Sequence, residues 1–197
     1  MLPHILYIHG FNSSPDSFKA SQLVSYYAQK GQEERITVPE LSYEPAKAMA
    51  TLEALVQQHQ QQTNAPLLLV GSSLGGFYAT YLVEHYDQLK AVLVNPAVKP
   101  YELLADWLGD NENIYTAETY CLTREHLQQL ISLDCSVLKD ASRYFVLLQT
   151  LDETLDYRQA AAKFKQARLV VEQGGNHSFD GLERYYGEIF AFIDDAP

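Results

Sequence analysis

Six short, almost unbroken apolar runs, separated by longer amphipathic stretches, constrain this chain more than any other feature. They are Ile5–Ile8, Ile36–Val38, Leu67–Val70, Ala91–Val94, Tyr144–Leu148 and Leu169–Val171. A strand that is apolar at nearly every position has both of its faces covered, as parallel strands between helices do. The intervening stretches carry helical stripes: Ala20, Leu23, Val24 and Tyr27, then Ala48, Leu52, Leu55, Val56 and His59. A third stripe, Leu182, Tyr186, Ile189, Phe190 and Ile193, lies at the C-terminal end. Alternation of the two patterns predicts right-handed βαβ units. The expected class is α/β, with about six mostly parallel strands flanked by helices.

The chain has 197 residues, a little over the roughly 150-residue domain prior, so one domain over 1–197 is expected. One segment breaks the rhythm. From about 97 to 138 no strand is predicted, and the aromatics Tyr101, Trp107, Tyr115 and Tyr120 accompany short helical pieces. That segment reads as a short helical cap insertion. The run Gln57 to Gln62 reads as the solvated end of a helix before a turn at Thr63 to Pro66.

Charge narrows the partners. Fourteen Lys and Arg against 25 Asp and Glu give a net charge of −11. No basic patch offsets it, so phosphate backbones and anionic membrane surfaces are repelled, and neither nucleic acid nor membrane is an expected partner. No run approaches the roughly 18 apolar residues of a membrane span, and the start lacks the basic and apolar regions of a leader. Cys121 and Cys135 make neither a disulfide framework nor a metal spacing, and are expected as free, partly buried thiols. The expected setting is reducing and cytoplasmic. The oligomeric state has no signal in the sequence.

The chemistry centres on Gly71-Ser72-Ser73-Leu74-Gly75, which joins an apolar strand to a helix-compatible stretch. This G-x-S-x-G spacing forms a sharp turn that forces the central serine into a strained backbone, with glycines on either side admitting neighbouring chain. Ser73 occupies the centre and is the candidate nucleophile; Ser72 does not. A hydroxyl needs a base to remove its proton. Of six histidines His177 sits best, in the loop Gly174-Gly-Asn-His-Ser-Phe179 after the last strand. In enzymes with this elbow the acid follows the serine and precedes the histidine. Asp152 is the first carboxylate past the Tyr144–Leu148 strand, with Glu153 and Asp156 as rivals. The backbone N–H groups of Phe11, after the first strand, and of Leu74 are the candidate oxyanion donors. His9 reads as a residue that orders its loop. The chain carries no phosphate-cradling loop, metal cluster or dinucleotide fingerprint, so no cofactor is expected.

These segments together resemble the YqiA/YcfP-type group of small bacterial α/β hydrolases. The likeness is carried by His9-Gly-Phe-Asn-Ser-Ser-Pro15, Gly71-Ser-Ser-Leu-Gly-Gly76, Asn95-Pro-Ala-Val-Lys-Pro-Tyr101, Asp152-Glu-Thr-Leu-Asp-Tyr157 and Gly174-Gly-Asn-His177. It spans nearly the whole chain. The resemblance implies an ester or thioester hydrolase acting through an acyl-enzyme, with Ser73, Asp152 and His177 at the triad positions. Leu151 departs from the pattern, because a glycine is expected before the acid. A small acyl ester or thioester is the expected substrate, and Tyr101, Trp107, Tyr115 and Tyr120 are candidates to line its pocket. Peptide cleavage, acyl transfer to an alcohol, and a binding or scaffold role with vestigial activity stay open at this stage.

Overall fold

The computed structural model describes residues 1–195. Its centre is a six-stranded, wholly parallel sheet built from β1 (His4–Ile8), β2 (Ile36–Thr37), β3 (Leu67–Ser72), β4 (Lys90–Val94), β7 (Tyr144–Gln149) and β8 (Arg168–Glu172). The order across the sheet is β2-β1-β3-β4-β7-β8, and every neighbouring pair is parallel. All six apolar runs are strands. The chain starts at β1, adds β2 on one side and β3, β4, β7 and β8 in turn on the other; because all six are parallel, their C-terminal ends open on one edge.

Side-chain alternation divides the core in two. Leu6, Ile8, Leu69, Leu93, Val146 and Leu148 face α2 (Pro45–Gln62) and α3 (Leu74–His85). Ile5, Tyr7, Leu68, Val70, Val92, Val94, Phe145 and Leu147 face the opposite way, towards α1 (Phe18–Gln29) and the C-terminal helix α7 (Tyr186–Ala191). Period-2 alternation within a strand that is apolar throughout is what a sheet covered on both sides requires. Each large side chain fully buried this way contributes about 1.5–3 kcal/mol. The helical stripes supply the covering faces: Ala20, Leu23 and Tyr27 of α1, and Ala48, Leu52 and Val56 of α2, are buried. Val24 does not join them; it is exposed on the rim of α1. The glutamine run is the exposed last turn and a half of α2.

The insertion differs from expectation. It contains α4 (Pro100–Leu103) and α5 (Arg124–Ser132), but also an antiparallel hairpin of β5 (Gly109–Glu112) and β6 (Thr119–Leu122). β5 reads Gly-Asp-Asn-Glu, residues with poor strand propensity, and it forms because β6 buries Tyr120 and Leu122 on one face and holds it in register. The hairpin tip is tied down by Asn113. Its Oδ1 accepts from Tyr115 N and Thr116 N, and its Nδ2 donates to the Ser13 carbonyl at 3.0 Å. Cys121, on the outward face of β6, is exposed instead of partly buried.

A buried polar knot fixes α3 to β7. Glu84 accepts from the Tyr144 hydroxyl and from Lys139 N and lies 3.7 Å from Arg143. No described helix is long and apolar enough to cross a membrane.

Candidate active site

Ser73 sits between β3 and α3 with φ 55° and ψ −122°, a backbone that L-residues rarely adopt. The surrounding glycines explain how it is held. A Cβ on Gly75 would lie 1.9 Å from the Ile8 carbonyl oxygen, and one on Gly71 2.5 Å from the Gly75 carbonyl oxygen. The helix therefore runs against the end of β1, and the turn cannot relax outward. Ser73 N donates to Val94 O, while Ser73 O accepts from Gly76 N and Ala97 N. The serine is half-buried, whereas Ser72 is buried.

His177 meets the acid from above the same edge. Its Nδ1 lies 2.9 Å from Asp152 Oδ1 and 2.8 Å from Oδ2. A carboxylate only accepts, so Nδ1 carries the proton and Nε2 of the neutral ring is the bare nitrogen. The Asp152 side chain is 2% exposed. Its Oδ1 also accepts from Thr154 N and Leu155 N, both at 2.8 Å, which fixes the carboxylate within its own turn. Leu151 needs no glycine there: its φ is negative, and its N–H bonds the Gly174 carbonyl.

The two rivals of Asp152 take other work. Glu153 Oε2 accepts the backbone N–H of His177 at 2.9 Å, and that bond holds its carboxyl below the usual range. Asp156 is the N-cap of α6 (Tyr157–Lys163), accepting from Arg158 N.

Two side chains with no role foreseen from the sequence hold the histidine loop. Asn95, at φ 41° and 2% exposed, donates from Nδ2 to the carbonyls of Asn176 and His177 and accepts from Gln149 N. Gln149 accepts from Asn176 N and Asp180 N and donates to the Asp180 carbonyl and to Glu172. The signal was present: a buried asparagine and glutamine at the ends of apolar strands need partners, and only loops emerge there.

Ser73 and His177 line one cleft of about 200 Å³, with Gly10, Phe11, Ser17, Lys19 and Tyr115 among its walls. Gly10 stands over Ser73; a Cβ there would lie 3.5 Å from Ser73 Oγ. Among the described residues no hydrogen bond joins Ser73 to His177, and neither Phe11 N nor Leu74 N donates to a protein acceptor. Phe11 also lines an adjoining hollow of about 30 Å³ together with Leu74. His9 is 3% exposed and donates from Nδ1 to the Gly10 carbonyl; burial depresses its pKa, and its Nε2 finds no partner. Of the four aromatics singled out in the insertion, only Tyr115 lines the cleft. Trp107 and Tyr120 pack edge-on against Phe11, Tyr120 also donates to Asn12 Oδ1, and Tyr101 donates to Asp134. No three His, Cys, Asp or Glu side chains gather to hold a metal among the described residues.

Solved structures of similar shape share this architecture. A putative hydrolase from Agrobacterium vitis S4 superposes with a TM-score of 0.74 at 18% identity, covering 98% of this chain and 88% of the other. Est1E from Butyrivibrio proteoclasticus, solved with ferulic acid bound, gives 0.68 at 15% identity over 97% and 88%. A putative hydrolase of the alpha/beta superfamily from Xanthomonas campestris gives 0.55 at 19% identity over 98% and 96%. At these identities the likeness establishes the α/β-hydrolase fold. Residues 4–194 match a family model described as an uncharacterised protein family, UPF0227.

Proposed function

We propose that this chain, which belongs to the uncharacterised protein family UPF0227, is a serine hydrolase of small carboxylic esters or thioesters. The observation that carries the reading is the His177 ring locked on Asp152 in the cleft of a strained Ser73. The printed names of similar structures, a putative hydrolase and Est1E with its bound ferulic acid, agree with it.

In this reading Asp152 keeps the His177 proton on Nδ1, so Nε2 accepts the Ser73 hydroxyl proton as Oγ attacks the carbonyl carbon. Negative charge develops on the carbonyl oxygen. The N–H groups of Phe11 and Leu74 stabilise it, at about 3–4 kcal/mol for each such donor. The tetrahedral species then collapses, the acyl group stays on Ser73, and His177 gives its proton to the leaving alcohol or thiol. Water, deprotonated by the same Nε2, releases the acid and restores the serine. Residues 1–197 act as one domain, with 97–138 as the cap whose hairpin tip brings Tyr115 to the site.

The cleft volume sets the expected chain length. At roughly 30 Å³ per water-sized group, about 200 Å³ accommodates an acyl chain of a few carbons. The test is a panel of esters and acyl-CoA thioesters of rising length, assayed with the wild type and with Ser73→Ala. Turnover of short and medium chains that vanishes in Ser73→Ala supports the reading. Rates that climb steadily to long fatty acyl groups contradict the proposed chain length, and turnover that survives Ser73→Ala contradicts the mechanism.

A further inference from the structure

The wall of the cleft opposite the triad is made by the start of α1, and it is polar in one specific way. Lys19, in the first turn of that helix, lines the cleft beside Ser73 and His177. It makes no ion pair or hydrogen bond among the described residues. The two carboxylates whose charge reaches it, Asp152 and Glu153, are bonded elsewhere: Asp152 to His177, Thr154 and Leu155, Glu153 to the His177 backbone. Ser17, the N-cap residue, is 8% exposed and lines the same cleft, yet its hydroxyl caps no backbone N–H and bonds no other group. A hydroxyl on the cleft wall with no protein partner is left for a group that enters the cleft. The first-turn N–H groups of Phe18, Lys19 and Ala20 have no protein acceptor, and no acidic side chain occupies that turn. The helix start therefore places a cation, a free hydroxyl and the unpaired N–H groups of a helix N-terminus at the cleft that Ser73 lines.

The geometry points to an anion subsite, in which Lys19, the Ser17 hydroxyl and the first turn of α1 hold a carboxylate of the substrate beside Ser73. This rests on the hydrolase reading and narrows it: the preferred substrate is an ester or thioester that also bears a carboxylate. One cation matches a monoanion. The nearby charges of Asp152 and Glu153 disfavour a dianionic phosphate at the same place. In a chain of net charge −11, an unpaired lysine in the reacting cleft selects for such a group, because the rest of the surface repels it.

Two matched pairs of substrates test this and place the carboxylate. One pair is 3-acetoxybenzoate and its methyl ester, with the charge on the alcohol part. The other is the 4-nitrophenyl ester of hydrogen adipate and that of methyl adipate, with the charge on the acyl part. The wild type is expected to favour the anionic member of at least one pair by tenfold or more in kcat/KM. Lys19→Gln brings that ratio close to one, and Lys19→Arg keeps it within about threefold of the wild-type value. A wild-type ratio near or below one in both pairs overturns the subsite, as does a ratio that Lys19→Gln leaves intact. If no ester is hydrolysed, it is the hydrolase reading that fails. Calorimetric titration of 3-hydroxybenzoate then decides the subsite: binding to the wild type that Lys19→Gln abolishes supports it, and no difference between the two overturns it.

Discussion

Glu153 holds the backbone of His177 and not its ring: its Oε2 accepts the His177 N–H, while Asp152, one residue earlier, takes the ring at Nδ1. Adjacent carboxylates thus divide one task, fixing the loop and fixing the imidazole within it. Asp152→Asn leaves the ring without an anionic partner and permits the wrong tautomer, so kcat should fall about 10⁴-fold in a folded protein. Glu153→Gln still offers an oxygen to the N–H and should lose less than tenfold. Asp156→Ala should lower the melting temperature with kcat retained. Steady-state kinetics beside a thermal melt of the three variants separates these roles.

Asn95 is the second constraint on that loop. Asn95→Ala removes three hydrogen bonds, leaves the Gln149 N–H buried without an acceptor, and keeps a side chain in the left-handed region. The expected loss is about 3 kcal/mol of stability and about 10²-fold in kcat, as His177 drifts from its position. Asn95→Gly relieves the backbone but not the bonds. It should be more stable than Asn95→Ala by about 1 kcal/mol, while sharing its kinetic defect. Denaturant titrations and kcat measured on both variants check the split.

Lys19 gives the anion subsite a pH signature. Burial pulls its ammonium down to about 8, against the upward pull of Asp152 and Glu153. His177, His9, Tyr7 and Tyr115 are the other titratable side chains of the cleft. The ratio of anionic to neutral ester turnover should therefore fall as pH rises past about 8, where the charge is lost. Stability moves the other way. Between about pH 8 and the usual lysine range the unfolded chain holds the proton more tightly than the folded one, so folding gains with rising pH in that window. Lys19→Gln should flatten both trends.

Glu84 tests the fold apart from the site. Glu84→Ala leaves Arg143, 7% exposed, without its carboxylate and the Tyr144 hydroxyl with only a 3.5 Å contact to the Thr80 carbonyl. A loss of about 3–5 kcal/mol is expected, with KM unchanged. Replacing both members by apolar residues should recover most of the loss in a chemical denaturation series.

Much of this was legible in the sequence, for identifiable reasons. The four inner strands are covered on both faces and so are apolar throughout; the edge strands β2 and β8, partly exposed, still carried short apolar runs. Ser73 was marked by glycines that cannot carry a Cβ, and Asp152 and His177 by their distance past strand ends. β5 was not legible, because Gly-Asp-Asn-Glu becomes a strand only through its partner. Asn95, Gln149 and Glu153 carried no spacing signal, since each acts on a loop distant in sequence. Lys19 lies in an ordinary helical pattern, and only the placement of the start of α1 beside Ser73 and the His177 loop makes it part of the cleft. Of the insertion's aromatics, sequence could not tell Tyr115, which reaches the cleft, from Trp107 and Tyr120, which support Phe11 from behind.

The account stands or falls on Ser73 as a nucleophile activated by His177, and covalent labelling reads this most directly. Incubation with a fluorophosphonate, followed by peptide mapping, should place one adduct on Ser73. Ser72→Ala should label like the wild type, Ser73→Ala should not label, and His177→Ala should label at least 10²-fold more slowly. An adduct on another residue, or undiminished labelling of Ser73→Ala or His177→Ala, would contradict it.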